Sequence, residues 1–529
     1  MSRRVLLVAK EGFAWPAHYL AKLLREEGTE IGIFFIMPHE AMRGDYDYRE
    51  FVRLNPDLKI FDAKKLGTEF RSRVRSGNLG LDWEALRRID REYSAGKTLG
   101  LQQITSQFMS TYAHYRTYYR DVPVEQQYLL MQLYYGLVHE VLDEFRPDAI
   151  YDADFSEYPR AILFEVAGRR NIPYVTIEGS RFDDYFFPST TLALADADWL
   201  GPLVEQRARE LRTVEVRSSR AGYRELDRFR AQSEILADGF KIAYATMAFR
   251  PLRSLYALVR ANFSRFPTHF KDWLRFYRTG TAPIFADPIR LHLLELKEYF
   301  RKFVMRFASP FVEADLSKLD YILFPLHLIP ESSTLTKSPF FLNEEFLVES
   351  LSKSVPPGQS IVVKEHWYMM GERPLSFYRR MRRLPNVILI EPRKYGDPRA
   401  YLESAHGVVT ITGTSAFEAA LLRKPSIVFG PTPFSMLTSV KTVTDVTTLP
   451  SVVRNWSRTM SDDAELAAYL EIAMEVGEKL DMPCLTSREH ETDVSKAKEN
   501  AGRLYRLFRR GEEMLRKDRP ALEKQVFRT

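Results

Sequence analysis

In the stretch YLESAHGVVTITGTSAFEAALLRKPSIVFG (401–430), an apolar run reads as a strand to Thr412. A turn of small residues, Gly413-Thr414-Ser415, then leads straight into the helical pattern AFEAALLRK. Parallel strands deliver such turns to their carboxyl ends, where open α/β sheets bind ligands. A helix starting there offers free backbone N–H groups and the positive end of its dipole, a combination suited to phosphate. The small side chains of Gly413, Thr414 and Ser415 let a phosphate or diphosphate approach the backbone, and Glu418 is placed to accept hydrogen bonds from ribose hydroxyls. The same letters also have a purely structural reading. Ser415-x-x-Glu418 spells a capping box, in which the serine caps the Glu418 N–H and the glutamate reaches back.

Two further clusters fall at expected strand ends. VVKEHWY (362–368) sets Lys364, Glu365 and His366 just past an apolar run, where lysine and histidine could neutralise a departing phosphate. FPLHLIPESSTL (324–335) holds His327 and Glu331 in a loop bracketed by Pro325 and Pro330, close to an interdomain cleft. The structural alternatives are a solvated loop for the first and a stiff connector with a satisfied histidine for the second.

The elements that must position these residues follow an α/β rhythm. Val5–Ala9 reads as a buried strand, a helix follows near His18–Glu27, and Ile31–Met37 reads as strand two. Residues 80–146 read as mainly helical. DAIYDADFSEYP (148–159), RAILFEVAGRRN (160–171) and IPYVTIEGS (172–180) give another β-α-β step. After Asp320, five short apolar runs within about 110 residues predict a second parallel sheet. The chain therefore divides into an N-terminal Rossmann-like domain over 1–200 and a basic, aromatic helical insertion or linker over 201–315. A C-terminal Rossmann-like domain over 316–490 and C-terminal helices over 491–529 complete it. The fold class is α/β, with two Rossmann-type parallel-sheet domains facing a cleft.

With 529 residues, 45% of them hydrophobic, the chain is long enough for two large cores. Its net charge of +6 is mild and does not by itself call for nucleic acid. The excess is concentrated in 241–310, where 13 Lys and Arg stand against 4 Asp and Glu with aromatics interleaved. That stretch reads either as helices with inward-facing aromatics or as a peripheral surface for an anionic membrane. The single cysteine, Cys484, cannot form an internal disulfide or a cysteine-rich zinc site, which favours a reducing, cytoplasmic setting. The opening apolar run is too short for a signal peptide, and no run approaches the length of a membrane span.

The order PLHxxPE, VVKEH, NV.LI.P, SAHGVVTITGTSAFEAALLRKPSIVFG resembles the bacterial capsule polysaccharide biosynthesis family, which includes Kdo transferases, over about 320–435. It is more distantly similar to the polyglycerol-phosphate polymerases of teichoic acid synthesis. Trp367 stands where the family often has proline after the histidine. The resemblance implies a GT-B glycosyltransferase in which Lys364, His366, Gly413, Thr414, Ser415 and Glu418 hold the donor nucleotide, with His327 and Glu331 near the same cleft. It further implies that EGSRFDDYFF (178–187) offers Arg181 to an acidic group, fixed by Asp183 or Asp184. An inverting enzyme of this kind needs an acceptor-activating base at an N-domain strand end. Candidates are Glu11, His18, Asp154 and Glu157, with the DADFSEY pair first. Asp152-Ala153-Asp154 spells a metal-binding Asp-x-Asp, but the two-sheet layout argues against that use, so no metal and no cofactor beyond a nucleotide-sugar substrate is expected. The expected partners are a nucleotide sugar and a polysaccharide or lipid-linked acceptor. An anionic membrane surface at the inner face of the cell membrane is a further candidate. Competing readings are a UDP-sugar epimerase, a CDP-alcohol-type polyol-phosphate transferase and a non-catalytic polysaccharide assembly or export scaffold.

Overall fold

The run Arg4–Ala9 carries aliphatic residues on both faces, so as a strand it must be covered on both sides. In the computed structural model, Val5, Leu7 and Ala9 enter one core while Leu6 and Val8 enter another, all of them buried. The structure describes residues 2–37, 45–94, 123–154, 158–191, 197–234, 288–329, 337–366, 369–391 and 397–517, with a few isolated positions besides. Glu157, Glu331 and most of the basic aromatic stretch lie outside the described residues.

Strands β1 (Arg4–Ala9), β2 (Glu30–Phe35), β3 (Lys59–Asp62), β4 (Ala149–Tyr151), β5 (Tyr174–Gly179) and β6 (Tyr185–Ser189) precede residue 190. A second group runs from β7 (Tyr321–Pro325) through β8 (Ser360–Lys364), β9 (Val387–Ile390), β10 (Gly407–Thr410) and β11 (Ser426–Val428) to β12 (Val440–Thr442), and β13 (Glu478–Lys479) follows. The first sheet has the order β13-β6-β5-β4-β1-β2-β3 and the second β12-β11-β10-β7-β8-β9. The second is parallel throughout. In the first, β6 and β13 add antiparallel pairs at one edge. The expected architecture of two parallel-sheet α/β lobes is therefore present.

In each sheet the chain reverses its direction of winding once. In the first lobe the reversal lies between β1 and β4, in the second between β7 and β10. Such switch points leave a crevice at the strand carboxyl ends.

Two departures from the sequence expectation concern connections. Helices Ala197–Arg212 and Ala221–Ala231, expected in a separate linker, pack against Asp463–Val476 and share a core with Ala416 and Phe417. The helix Val494–Lys517 returns to the first lobe, where Leu504, Leu507 and Phe508 are fully buried beside Val5, Leu7 and Val175. No described helix is long and apolar enough to cross a membrane.

Candidate functional site

At the second lobe's switch point, His327 follows β7 and Thr410 ends β10. His327 Nδ1 lies 3.2 Å from Glu344 Oε1, its backbone N–H donates to the same oxygen at 2.6 Å, and its Nε2 lies 2.9 Å from Thr410 Oγ1. A ring nitrogen facing a carboxylate carries the proton, leaving Nε2 to accept from the threonine. Thr410 Oγ1 also accepts from the Gly413 N–H at 3.3 Å. A Cβ on Gly413 would lie 2.5 Å from that oxygen, so only glycine lets the turn close down on it. His327, 8% exposed, thus supports the turn from beneath.

Under the histidine lies a buried ionic layer that the sequence did not reveal. Arg373 Nη2 reaches Glu344 Oε2 at 2.5 Å and donates to the His327 carbonyl at 2.6 Å, while its Nη1 pairs with Glu365. Tyr378 OH donates to Glu365 Oε2 at 2.5 Å, and Glu365 Oε1 accepts from the His366 N–H at 2.6 Å. Burial pushes the Glu344 carboxyl up, but Arg373 and His327 outweigh it and hold it below the ordinary range. For Glu365 burial wins and the carboxyl is raised. Glu344 and Arg373 stand in unremarkable sequence surroundings, and only the fold brings them together.

Lys364 ends β8 and Glu418 lies in the first turn of Ser415–Leu421; both are half-buried and each feels the other's charge. Burial lowers the Lys364 ammonium to about 8, against the raising fields of Glu418 and Asp397. Burial raises the Glu418 carboxyl to about 7, with Lys364 opposing and Asp397 reinforcing. The two are coupled by field without a direct ion pair, and Lys364 Nζ sits 5.0 Å from the Tyr401 ring centre. Burial, then Arg373, Lys364 and His327, lower the His366 imidazole to about 3.

The turn itself overturns the capping-box alternative. Thr414 is the N-cap of Ser415–Leu421 and makes no side-chain cap bond; the Glu418 N–H goes to the Thr414 carbonyl at 3.0 Å. The Ser415 and Thr412 hydroxyls are buried without a hydrogen-bond partner among the described residues. Each such orphan costs about 1–3 kcal/mol and asks for an explanation.

In the first lobe, Asp152 and Asp154 follow β4 at the switch point and bracket the fully buried Arg160. Its Nε lies 2.7 Å from Asp152 Oδ2 and its Nη1 3.2 Å from Asp154 Oδ2. Tyr174 OH also donates to Asp152 at 2.6 Å. The Asp-x-Asp spelling thus holds a guanidinium, and Asp154, with 13% of its side chain exposed, is the member that meets solvent. Glu11 sits after β1 with φ of 45°, beside the same switch point. His18 is enclosed, 1% exposed, with Nδ1 3.1 Å from Asn55 Oδ1 and Nε2 3.5 Å from Glu489. Burial lowers its pKa. Such a ring has no open path to an acceptor hydroxyl. Arg181 is contacted by Glu178, at 3.7 Å, whereas Asp183 pairs with Lys479 at 2.7 Å and Asp184 is exposed. The expected fixing of Arg181 by Asp183 or Asp184 is not among the ion pairs of the described residues, where Arg181 meets Glu178 instead. Among the described residues, no group of three or more His, Cys, Asp or Glu is arranged to hold a metal ion.

No family model matches the chain, and no curated protein matches it. Among solved structures it is similar to a UDP-GlcNAc 2-epimerase from Neisseria meningitidis at 14% identity, covering 89% of this chain and 99% of that one with a TM-score of 0.23. It is also similar to a β-Kdo 2,7-transferase of Thermosulfurimonas dismutans at 10% identity, covering 63% and 79% with a TM-score of 0.30. A spinosyn rhamnosyltransferase gives 11% identity, 89% and 96% coverage and a TM-score of 0.24. These likenesses are distant, and what the site can do rests on this chain's own residues.

Proposed function

We propose that this chain is a glycosyltransferase that takes a sugar from a nucleotide-sugar donor and passes it to a polysaccharide or lipid-linked acceptor. The observation that carries the reading is that Lys364, at the carboxyl end of a parallel strand, and Glu418, in the first turn of the helix after the 413–415 turn, are half-buried and feel each other's charge. Lys364 supplies the positive charge for the donor diphosphate. The Glu418 carboxylate accepts from the ribose hydroxyls. His366 offers a neutral imidazole to the leaving group. Across the junction, Asp154, partly exposed and 3.2 Å from Arg160, is the described carboxylate assigned to take the acceptor proton.

A thermal-shift panel of CMP, CDP, UDP and GDP identifies the donor base, because a ligand that binds only the folded state raises its stability. With the matching sugar nucleotide, Lys364→Met and Glu418→Gln should each lower transfer about a hundredfold while unfolding stays cooperative. Unchanged turnover in both variants removes this site, and isomerised donor formed without acceptor replaces transfer by epimerisation.

A further inference from the structure

A buried ion pair crosses the junction of the two lobes. Glu178, near the end of β5, is 5% exposed, and its Oε2 lies 2.5 Å from Nζ of Lys337. Lys337, 6% exposed, belongs to the connection between β7 and the helix Glu344–Ser352 in the other lobe. Arg181, 3.7 Å from the second carboxylate oxygen, is a looser partner. Two charges taken out of water gain little over an apolar pair of the same volume, so such a pair is weak evidence of stabilisation. What it supplies is geometry, because a displaced partner leaves a buried charge poorly compensated.

Each end of the pair is built into one half of the candidate site. On the first-lobe side, Thr176 lies two residues before Glu178 on the same face of β5. Its Oγ1 donates to the Asp154 carbonyl at 3.1 Å. On the second-lobe side, Ser338 follows Lys337 and donates to the Phe429 carbonyl at 2.9 Å. A Cβ on Gly430 would lie 2.8 Å from Ser338 Cβ and Thr412 Cγ2 and 3.1 Å from the Lys337 carbonyl oxygen, so only glycine lets these segments meet. The Phe429 and Gly430 N–H groups both donate to the Ile411 carbonyl, at 3.0 and 3.1 Å, just before the 413–415 turn. Contacts therefore run from Asp154 through Thr176, Glu178, Lys337 and Ser338 to that turn. Nearby, Phe182 and Phe187 share a core with Phe417 and Tyr469, and Tyr469 OH donates to the Ser180 carbonyl at 2.7 Å. Apolar contact is non-directional, so this patch serves as a pivot and the ion pair fixes the orientation about it.

We propose that Glu178 and Lys337 are positioning residues. Their pair sets the register of the first-lobe strand ends that carry Asp154 against the second-lobe turn at 413–415, and with it the distance between acceptor and donor. This rests on the transferase reading for what is being positioned. Neither residue needs to touch substrate. The signature is a loss of transfer without loss of nucleotide binding, since Lys364 and Glu418 both belong to the second lobe.

The test uses the full-length chain in a Cys484→Ser background, with spin labels at Glu26→Cys and Arg383→Cys, one exposed position on each lobe. Pulsed dipolar spectroscopy reads the distance between them. Lys337→Met and Glu178→Gln should each shift or broaden that distance, and the reversed pair Glu178→Lys/Lys337→Glu should restore it. Calorimetric titration with CMP, CDP, UDP and GDP should give every variant the affinity of the unaltered chain. Transfer from the matching sugar nucleotide should fall about tenfold or more in the single variants and recover in the reversed pair, as reactive alignment is lost and regained. Should the single variants fail to fold, Glu178→Leu/Lys337→Met leaves neither charge of the pair buried and should show the broadened distance. An unchanged distance, a reversed pair that restores nothing, or nucleotide affinity that falls in step with transfer overturns the proposal. So does loss of transfer in Glu178→Gln alone, which makes that carboxylate a catalytic group instead. The label distances need no substrate, which keeps the two readings apart. If they respond while Lys364→Met leaves nucleotide binding unchanged, the pair stands and the donor site falls. If Lys364→Met weakens nucleotide binding and the distances stay fixed, the donor site stands and the pair falls.

Discussion

Lys364 and Glu418 titrate around neutrality because burial moves each toward its uncharged form. Nucleotide binding needs the lysine protonated and the carboxyl ionised. Below about 7 the Glu418 carboxyl gains its proton, and above about 8 the Lys364 ammonium loses its own. The association constant of the nucleoside diphosphate should therefore peak between these values and fall on both sides, the two limbs belonging to the coupled pair. Calorimetry across pH 5.5–9.5, values chosen to bracket both limbs at roughly one pH unit or more, checks this; a flat profile contradicts it. The buried layer below behaves differently. Arg373→Met leaves Glu344 and Glu365 enclosed without their cation, which should cost about 3–5 kcal/mol, read as a lower urea midpoint. Of these residues, Lys364 and Glu418 were legible in the sequence because they end or follow recognisable strands. Glu344 and Arg373 were not, since their roles depend on contacts between segments that no local pattern records.

Among the elements, the helix Pro288–Phe307 meets the second lobe through Met305, which is buried in that lobe's core, and around Gly371 and Glu372. Arg301 Nη1 donates to the Glu372 carbonyl at 2.7 Å, and Lys302 packs over Gly371. Burial, reinforced by the field and hydrogen bond of Glu298, raises the Glu372 carboxyl to about 9. A carboxyl whose folded pKa is raised contributes stability in its protonated form, present in full at low pH and lost as pH rises through the folded value. Amide exchange in 293–305, corrected for the intrinsic rate, should thus accelerate from pH 6 to pH 9.5, a span set to cross that pKa by roughly half a unit or more. Glu372→Gln should flatten the dependence. The strands β7 to β11 were readable as apolar runs with turn signals. By contrast β3, β6 and β13 were not, because each is a short edge or near-edge strand carrying polar or half-buried residues that show no clean alternation.

For the molecule as a whole, the return of Val494–Lys517 to the first lobe makes the chain's two ends interdependent. Leu504, Leu507 and Phe508 are fully buried there, and Glu512 pairs with Arg3 at 2.5 Å and accepts from Tyr151 OH at 2.6 Å. Fully burying such side chains is worth about 1.5–3 kcal/mol each, a large share of the roughly 5–15 kcal/mol that stabilises a domain. Truncation after residue 493 should therefore unfold the first lobe, seen as lost protection of the β1 and β5 amides while those of β7 and β8 persist.

The sequence by itself determined the α/β class, the two sheets and the strand-end turn at 413–415. These follow from local features: apolar run length, strand spacing and small residues at a strand–helix boundary. Tertiary structure alone decided that Ser415 does not cap its helix, that His327 stands between Glu344 and Thr410, that Arg160 occupies the Asp152–Asp154 pair, and that Glu178 meets Lys337 across the lobes. Each of these is set by a side-chain partner. For His327, Glu178 and the helix returning to the first lobe, the partner comes from a distant part of the chain, and its distance, burial and charge exist only once the sheets have folded and met.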